Sequence, residues 1–142
     1  MPLRAEDVAG FEHDWLGTDL DGHVALLSTA GAGYPPPGYL CAPDLHEAGI
    51  DALLAGPAST VAVTAPQVGP GCVNTWRLVA ERGLYGYDSD PNGGAYRRVA
   101  VPAQPLRIDD LAGPVAAAAR IAPCPVRFAL ADEVTEAVLR AG

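Results

Sequence analysis

The chain predicts an α+β fold, a single domain over residues 1–142 with two β-hairpins and about four helices. Three observations carry that expectation. First, 49% of the 142 residues are hydrophobic, enough for one core that buries roughly two thirds of the unfolded surface. Second, short apolar runs flank turn-forming Asp-Gly and Asn-Gly pairs, which mark hairpins. Third, segments with helical spacing lie between those runs without a regular strand–helix–strand rhythm, which favours α+β over a doubly wound sheet. Sixteen glycines and fourteen prolines, about a fifth of the chain, add many loops around short elements.

Residues 14–18 (DWLGT) and 23–28 (HVALLS) flank Asp19-Leu20-Asp21-Gly22 and read as the first hairpin. With a four-residue loop, Thr18 opposes His23, Trp15 faces Leu26 and Gly17 faces Val24, which puts Trp15 on a core face. The tract after it, STAGAGYPPPGY, reads as a strand end followed by a rigid, exposed loop. Pro43-Asp44 opens a helix that runs to Ala55, where Gly56-Pro57 stops it. Its apolar side is built from Leu45, Ala48, Ala52, Ile50, Leu53 and Leu54.

Residues 60–64 (TVAVT) read as a short strand, and residues 74–82 as a short helix ended by Gly83. LYGYD, SDPNGG and AYRRVAV form a second hairpin with its loop. IDDLAGPVAAAARI supplies a helix capped by Asp109 or Asp110, with Leu111, Val115, Ala118 and Ala119 on one face. RFAL reads as a last strand. Asp132 then caps a C-terminal helix carrying Val134, Ala137, Val138 and Ala141.

The net charge is −8, and all nine basic residues are arginine. Without clustered cations, phosphate-backbone and nucleic-acid binding are not expected. The absence of lysine removes Schiff-base and P-loop chemistry. An acidic surface suits steering toward a basic protein partner. Cys41, Cys72 and Cys124 share no paired spacing and read as separate reduced thiols of a cytoplasmic protein. The opening MPLRAEDVAGFEH lacks an apolar signal core, and no stretch is apolar enough to span a membrane.

Four motifs invite chemistry. STAGAG follows a strand as a phosphate loop would, but Pro35, Pro36 and Pro37 come where a helix should begin and donate no amides. Pro36-Pro37-Gly38-Tyr39 matches PPxY, a polyproline ligand of aromatic grooves. Asp88, Asp90 and Asn92 before Gly93 match the first half of a calcium loop, but Val99 stands where its bidentate Glu belongs. The turn reading is therefore preferred, with calcium as the alternative. His13, His23 and His46 share no metal-ligand spacing, and Ser28 lacks a nucleophile elbow. No catalytic residue, cofactor or metal centre is assigned.

The stretch DWLGTDLDGHVALLSTAGAG, with W-RLVAERGLYGYD and YRRVAVPAQPL further on, is similar to small standalone bacterial proteins. Proteins of this style resemble the immunity proteins of polymorphic-toxin systems, which sequester a cognate toxin domain by direct binding. The resemblance covers about half the chain, between residues 14 and 106, and its motifs are structural. It implies a cytoplasmic, non-enzymatic protein that occludes a toxin with a basic active-site surface. Acidic and aromatic loop residues are the expected contacts: Asp19, Asp21, Tyr34, Tyr39, Asp88 and Asp90. The alternative is a small-molecule or metal-binding domain, or an enzyme using His23 or a cysteine in a pocket.

Overall fold

The computed structural model describes residues 2–142. Its elements in chain order are α1 (Ala5–Val8), β1 (Asp14–Thr18), β2 (Val24–Ser28), α2 (Pro37–Leu40), α3 (Pro43–Ala55) and β3 (Ala62–Thr64). They continue with α4 (Thr75–Glu81), β4 (Tyr85–Asp88), β5 (Tyr96–Pro102), a 3-10 turn (Ile108–Asp110), α5 (Gly113–Arg120), β6 (Glu133–Val134) and α6 (Glu136–Ala141). The strands make one mixed sheet in the order β1-β2-β4-β5-β3, with β6 also on β5. This is the expected α+β class.

Both hairpins form. β4 and β5 are antiparallel, and so are β1 and β2. The first hairpin is offset by one residue from the sequence expectation: Trp15 pairs with Leu27, Gly17 with Ala25 and Thr18 with Val24. The cause is the turn. The Asp19 carbonyl accepts from the Gly22 amide, and Gly22 then bulges in a left-handed conformation at φ +82°. His23 is thereby paired with Asp19, whose amide donates to the His23 carbonyl.

What no local pattern announced is the parallel pairing of β2 with β4, from Ala25 opposite Tyr85 to Ser28 opposite Asp88. α2, α3, β3 and α4 fill the crossover between them, as a parallel pair requires. Every residue of β2 is buried, because this strand is covered on both faces. On one face Leu16, Val24, Leu26 and Leu84 meet Leu53 of α3, Val79 of α4 and Val115, Ala118 and Ala119 of α5. On the other, Trp15, Leu27, Tyr85, Tyr87 and Tyr96 meet Phe128, Cys124, Val134 and Leu139. α3 turns His46, Gly49 and Leu53 inward, so a histidine sits on the face expected to be aliphatic.

Three further elements differ from expectation. RFAL is a turn, and the last strand is Glu133–Val134. Thr135, not Asp132, caps α6 by accepting from the Val138 amide. Asp132 pairs with Arg98 instead, at 3.0 Å. The helix expected from Asp109 or Asp110 begins only at Gly113, and Asp110 accepts from the Arg107 amide to fasten the preceding 3-10 turn. The proline tract is no exposed extended loop: Pro36 is buried and Pro37 starts α2.

The outer edge of β1 is closed by side chain and backbone together. The Leu16 amide donates to His46 Nδ1 at 3.0 Å, and the Thr18 amide donates to the Ala122 carbonyl. The Cys124 amide donates back to the Thr18 carbonyl. His46 Nε2 in turn donates to the Gly38 carbonyl at 2.9 Å, which fixes the neutral tautomer. Burial accordingly holds the His46 pKa below its ordinary value. Gly38 is held from its other side as well, since a Cβ there would collide with the Ile121 carbonyl.

Asp19 performs the matching task at the turn. Its Oδ1 accepts from the Asp21 and His23 amides, and its Oδ2 accepts from the Phe128 amide at 2.8 Å. One buried carboxylate thus ties the hairpin to the segment that covers the aromatic face.

Below pH ~6.5 the unfolded chain protonates at position 46 while the folded chain does not, so stability falls as pH drops through that point. Urea unfolding of wild type and His46→Gln between pH 7.5 and 5 should show a pH-dependent loss in wild type that is reduced in the variant. Asp19→Ala should cost about 3 kcal/mol by orphaning three amides, whereas Asp21→Ala should cost less than ~1 kcal/mol, both read by denaturant midpoint.

Candidate functional site

The register of the sheet draws a row of polar residues across one end. Asp14 on β1 pairs with Ser28 on β2, Ser28 with Asp88 on β4, Asp88 with Arg97 on β5, and Arg97 with Glu133 on β6. Paired residues face the same side of a sheet, so these side chains share the face that carries the long helices. Ser28 and Asp88 end the two parallel strands, the position at which open α/β-type sheets leave a crevice.

Glu12 completes the cluster. The Ser28 hydroxyl donates to Glu12 Oε1 at 3.2 Å, and the Oδ1 of Asp14 is buried without a hydrogen-bond partner. Burial above all pushes the Asp14 carboxyl above its ordinary value; the Ser28 hydroxyl offsets part of this and the Glu12 charge adds to it. Asp88 is also raised, by burial first and then by Glu12 and Asp14.

A cleft of about 560 Å³ opens beside this cluster. Its walls carry Glu12 and Asp14 on one side and Asp44, Glu47 and Asp51 of α3 on the other. The spacing 44, 47, 51 places all three helix carboxylates on one stripe. Tyr39 and His13 form the back, with the Tyr39 hydroxyl 2.7 Å from His13 Nδ1. The Tyr39 ring stands edge-on to His46, so the histidine that closes β1 also positions this wall. The Tyr39 phenol is raised by burial and then by Asp14, Glu47 and Asp44, and stays a neutral hydroxyl. Among the described residues five carboxylates and no Arg line the cleft, which suits a cationic guest.

The residues singled out from sequence are dispersed. Asp19 is 8% exposed and consumed by the turn, and Asp21 Oδ1 pairs with Arg127 at 3.2 Å. Tyr34 is half-buried under the Arg140 guanidinium, 4.6 Å above its ring, and its carbonyl accepts from Tyr96. Tyr39 is 5% exposed, so the exposure expected of it and of Asp19 is not met. PPxY is not presented as an extended ligand, because its Tyr39 and Pro36 are buried and residues 37–40 are helical. Of the six, Asp88 alone joins the acidic row; Asp90 is exposed at the tip of the next loop.

The calcium alternative is not assembled. Asp90 Oδ1 accepts from the Asn92 amide at 2.8 Å in a self-contained turn, while Asp88 faces Glu12 and Asp14. Among the described residues, one set of His, Cys, Asp or Glu brings ligand atoms within 4.8 Å of one another: Asp19, Asp21 and His23. The backbone amides on both Asp19 oxygens and Arg127 on Asp21 explain that set as a turn fastening. His23 Nδ1 lies 3.9 Å from Asp19 Oδ2, beyond hydrogen-bond distance. STAGAG closes as a turn on the Thr29 carbonyl, which accepts from the Ala32 and Gly33 amides.

Sequence reasoning missed Glu12, Asp14, Asp44, Glu47 and Asp51. The Asp44–Glu47–Asp51 stripe was legible as helical spacing. The opposing wall was not, because it depends on β1 lying beside α3. Neither a protein-family model, nor a curated protein, nor a solved structure matches the chain.

Asp14 and Asp88 bind their protons more tightly folded than unfolded, so their contribution to stability is present below pH ~3.8 and lost as the pH rises past their raised values. At pH 7 both therefore weaken the free protein. Asp14→Asn should raise the Tm at pH 7 by roughly 2–5 °C, as a stabilisation on the order of 1 kcal/mol would in a chain of this size, and the gain should vanish near pH 3. Calorimetry at the two pH values checks both points.

Proposed function

We propose that this is a binding protein of the immunity type, whose acidic cleft receives basic side chains of a toxin domain and thereby blocks that domain's active surface. The observation that carries the reading is the cleft of Glu12, Asp14, Asp44, Glu47 and Asp51, backed by Tyr39. Asp14 in the cleft and Asp88 beside it, whose carboxyls burial above all pushes above their ordinary value, gain from a partner that supplies positive charge. An arginine of the partner would satisfy Asp14 Oδ1 and Glu12 together and would lie against the Tyr39 wall. The net charge of −8 speeds encounter with a basic surface, and the fit in the cleft sets the off-rate. The protein acts by occlusion and in the cytoplasm, without chemistry of its own.

A cationic small molecule is the second reading, favoured by the size of the cleft and the unpartnered Asp14 oxygen. Thermal-shift measurements with spermidine, agmatine and calcium address it directly.

The test of the immunity reading is capture from source-cell lysate by the tagged protein, with Glu12→Gln/Asp14→Asn as the paired control. A stoichiometric protein with a basic domain, toxic when expressed alone, should be retained by wild type. The double variant should bind it at least ~10-fold more weakly and with a shallower salt dependence. Equal retention by the two, or a captured protein without toxicity, would overturn the proposal.

A further inference from the structure

The two edges of the sheet are treated in opposite ways. The β1 edge is closed by His46 and by the backbone of residues 122–126. The β3 edge is open: among the described residues β3 pairs with β5 alone, and Val61 and Val63 are 64% and 66% exposed. An open apolar edge is a template for another strand, and natural sheets normally blunt it with charge. Here the reverse holds. Residues 52–76 contain no Asp, Glu, Lys, Arg or His, in a chain of net charge −8. Val68 and Val73, both exposed, extend the same uncharged stretch.

The sequence of the edge reads alike in both directions: Thr60-Val61-Ala62-Val63-Thr64. We propose that this edge pairs with the same edge of a second copy, antiparallel and centred on Ala62, to give a twofold dimer with a continuous sheet. In that register Thr60 meets Thr64 and Val61 meets Val63, so both copies present matched β-branched pairs.

The backbone supports the same centre. The Val61 carbonyl already accepts from the Ala103 amide, while Ala62 stands opposite Pro102. Alternate residues of a strand direct their backbone groups to alternate sides, so the Ala62 amide and carbonyl point away from β5. Two copies would exchange both bonds at Ala62 across the twofold axis.

Charge selects the occupant. Another copy carries the same −8 and is repelled by most of this surface, but the 52–76 stretch offers a neutral approach. A basic partner gains nothing from that neutral face and everything from the acidic cleft. The two contacts therefore respond to salt with opposite signs: self-association strengthens as repulsion is screened, whereas capture of a basic guest weakens.

Sedimentation velocity over a wide range of protein concentration, at 50 and 500 mM NaCl, tests the proposal. A monomer–dimer equilibrium that tightens with salt is expected. Val63→Lys enters the interface twice and should raise the dimer dissociation constant by ~100-fold or more, with the Tm of the monomer, read at low protein concentration, unchanged because the side chain is solvent-exposed there. On the wild-type chain, Ala62 amide exchange should slow as protein concentration rises. A monomer at every concentration, a dimer indifferent to Val63→Lys, or an Ala62 amide whose exchange is independent of concentration would each overturn it. A different protein occupying the edge would appear as the first of these.

Discussion

The parallel pairing of β2 with β4 is the constraint on which the rest of this structure depends. A parallel pair needs a crossover, and residues 29–84 supply it with three helices and a short strand. It also needs cover on both faces, because β2 is apolar along its whole length and lies between β1 and β4. α3, α4 and α5 cover one face. The other is covered by aromatic residues and by segments that carry little regular structure, held through the Asp19 carboxylate and the tyrosine hydroxyls. Tyr87 donates to the Ala131 carbonyl at 2.6 Å and Tyr96 to the Tyr34 carbonyl at 2.6 Å. Each hydroxyl is buried, and each is satisfied by a backbone carbonyl of the covering segment.

The same pairing creates the acidic end of the molecule. Once β2 and β4 run side by side, Ser28 and Asp88 end together, and β1 brings Asp14 and Glu12 alongside. Like charges brought together at a partly buried site oppose folding, and nothing in the hairpins or helices requires them there. α3 adds three carboxylates from its exposed stripe, while its inward stripe holds the sheet through His46 and Gly49. Gly49 is needed at that crossing because a Cβ would come within 2.9 Å of both Leu16 Cδ1 and the Pro114 carbonyl. One helix thus carries both a structural contact and a wall of the cleft, on faces that do not compete.

Much of the local structure was legible in the residues. The Asp19–Gly22 turn, α3 between Pro43 and Gly56, the Asn74-capped α4 and the second hairpin all follow from capping, turn chemistry and apolar spacing. The errors are also local in origin. Gly22 admitted a bulge that moved the first register by one residue, and Asp110 took an amide of a 3-10 turn in place of a helix cap. RFAL has a strand-like composition, yet Phe128 is drawn into the core against Tyr85 and Tyr87 and the backbone turns around it. Burial of one aromatic ring outweighed β propensity over four residues.

The site divides along the same line. The sequence by itself determined the acidic charge, the neutral stretch from 52 to 76, the stripe at 44, 47 and 51, and the type of most elements. These are properties of composition and of contacts within a few residues, where helical and turn geometry hold without reference to the rest of the chain. Only the tertiary structure decided that Asp19 and Tyr39 are buried, that Asp14 faces Ser28 and Asp88, and that β3 is left at an open edge. Those outcomes depend on which strands become neighbours, and strand order is set by burying the whole core at once, a condition that no single segment records.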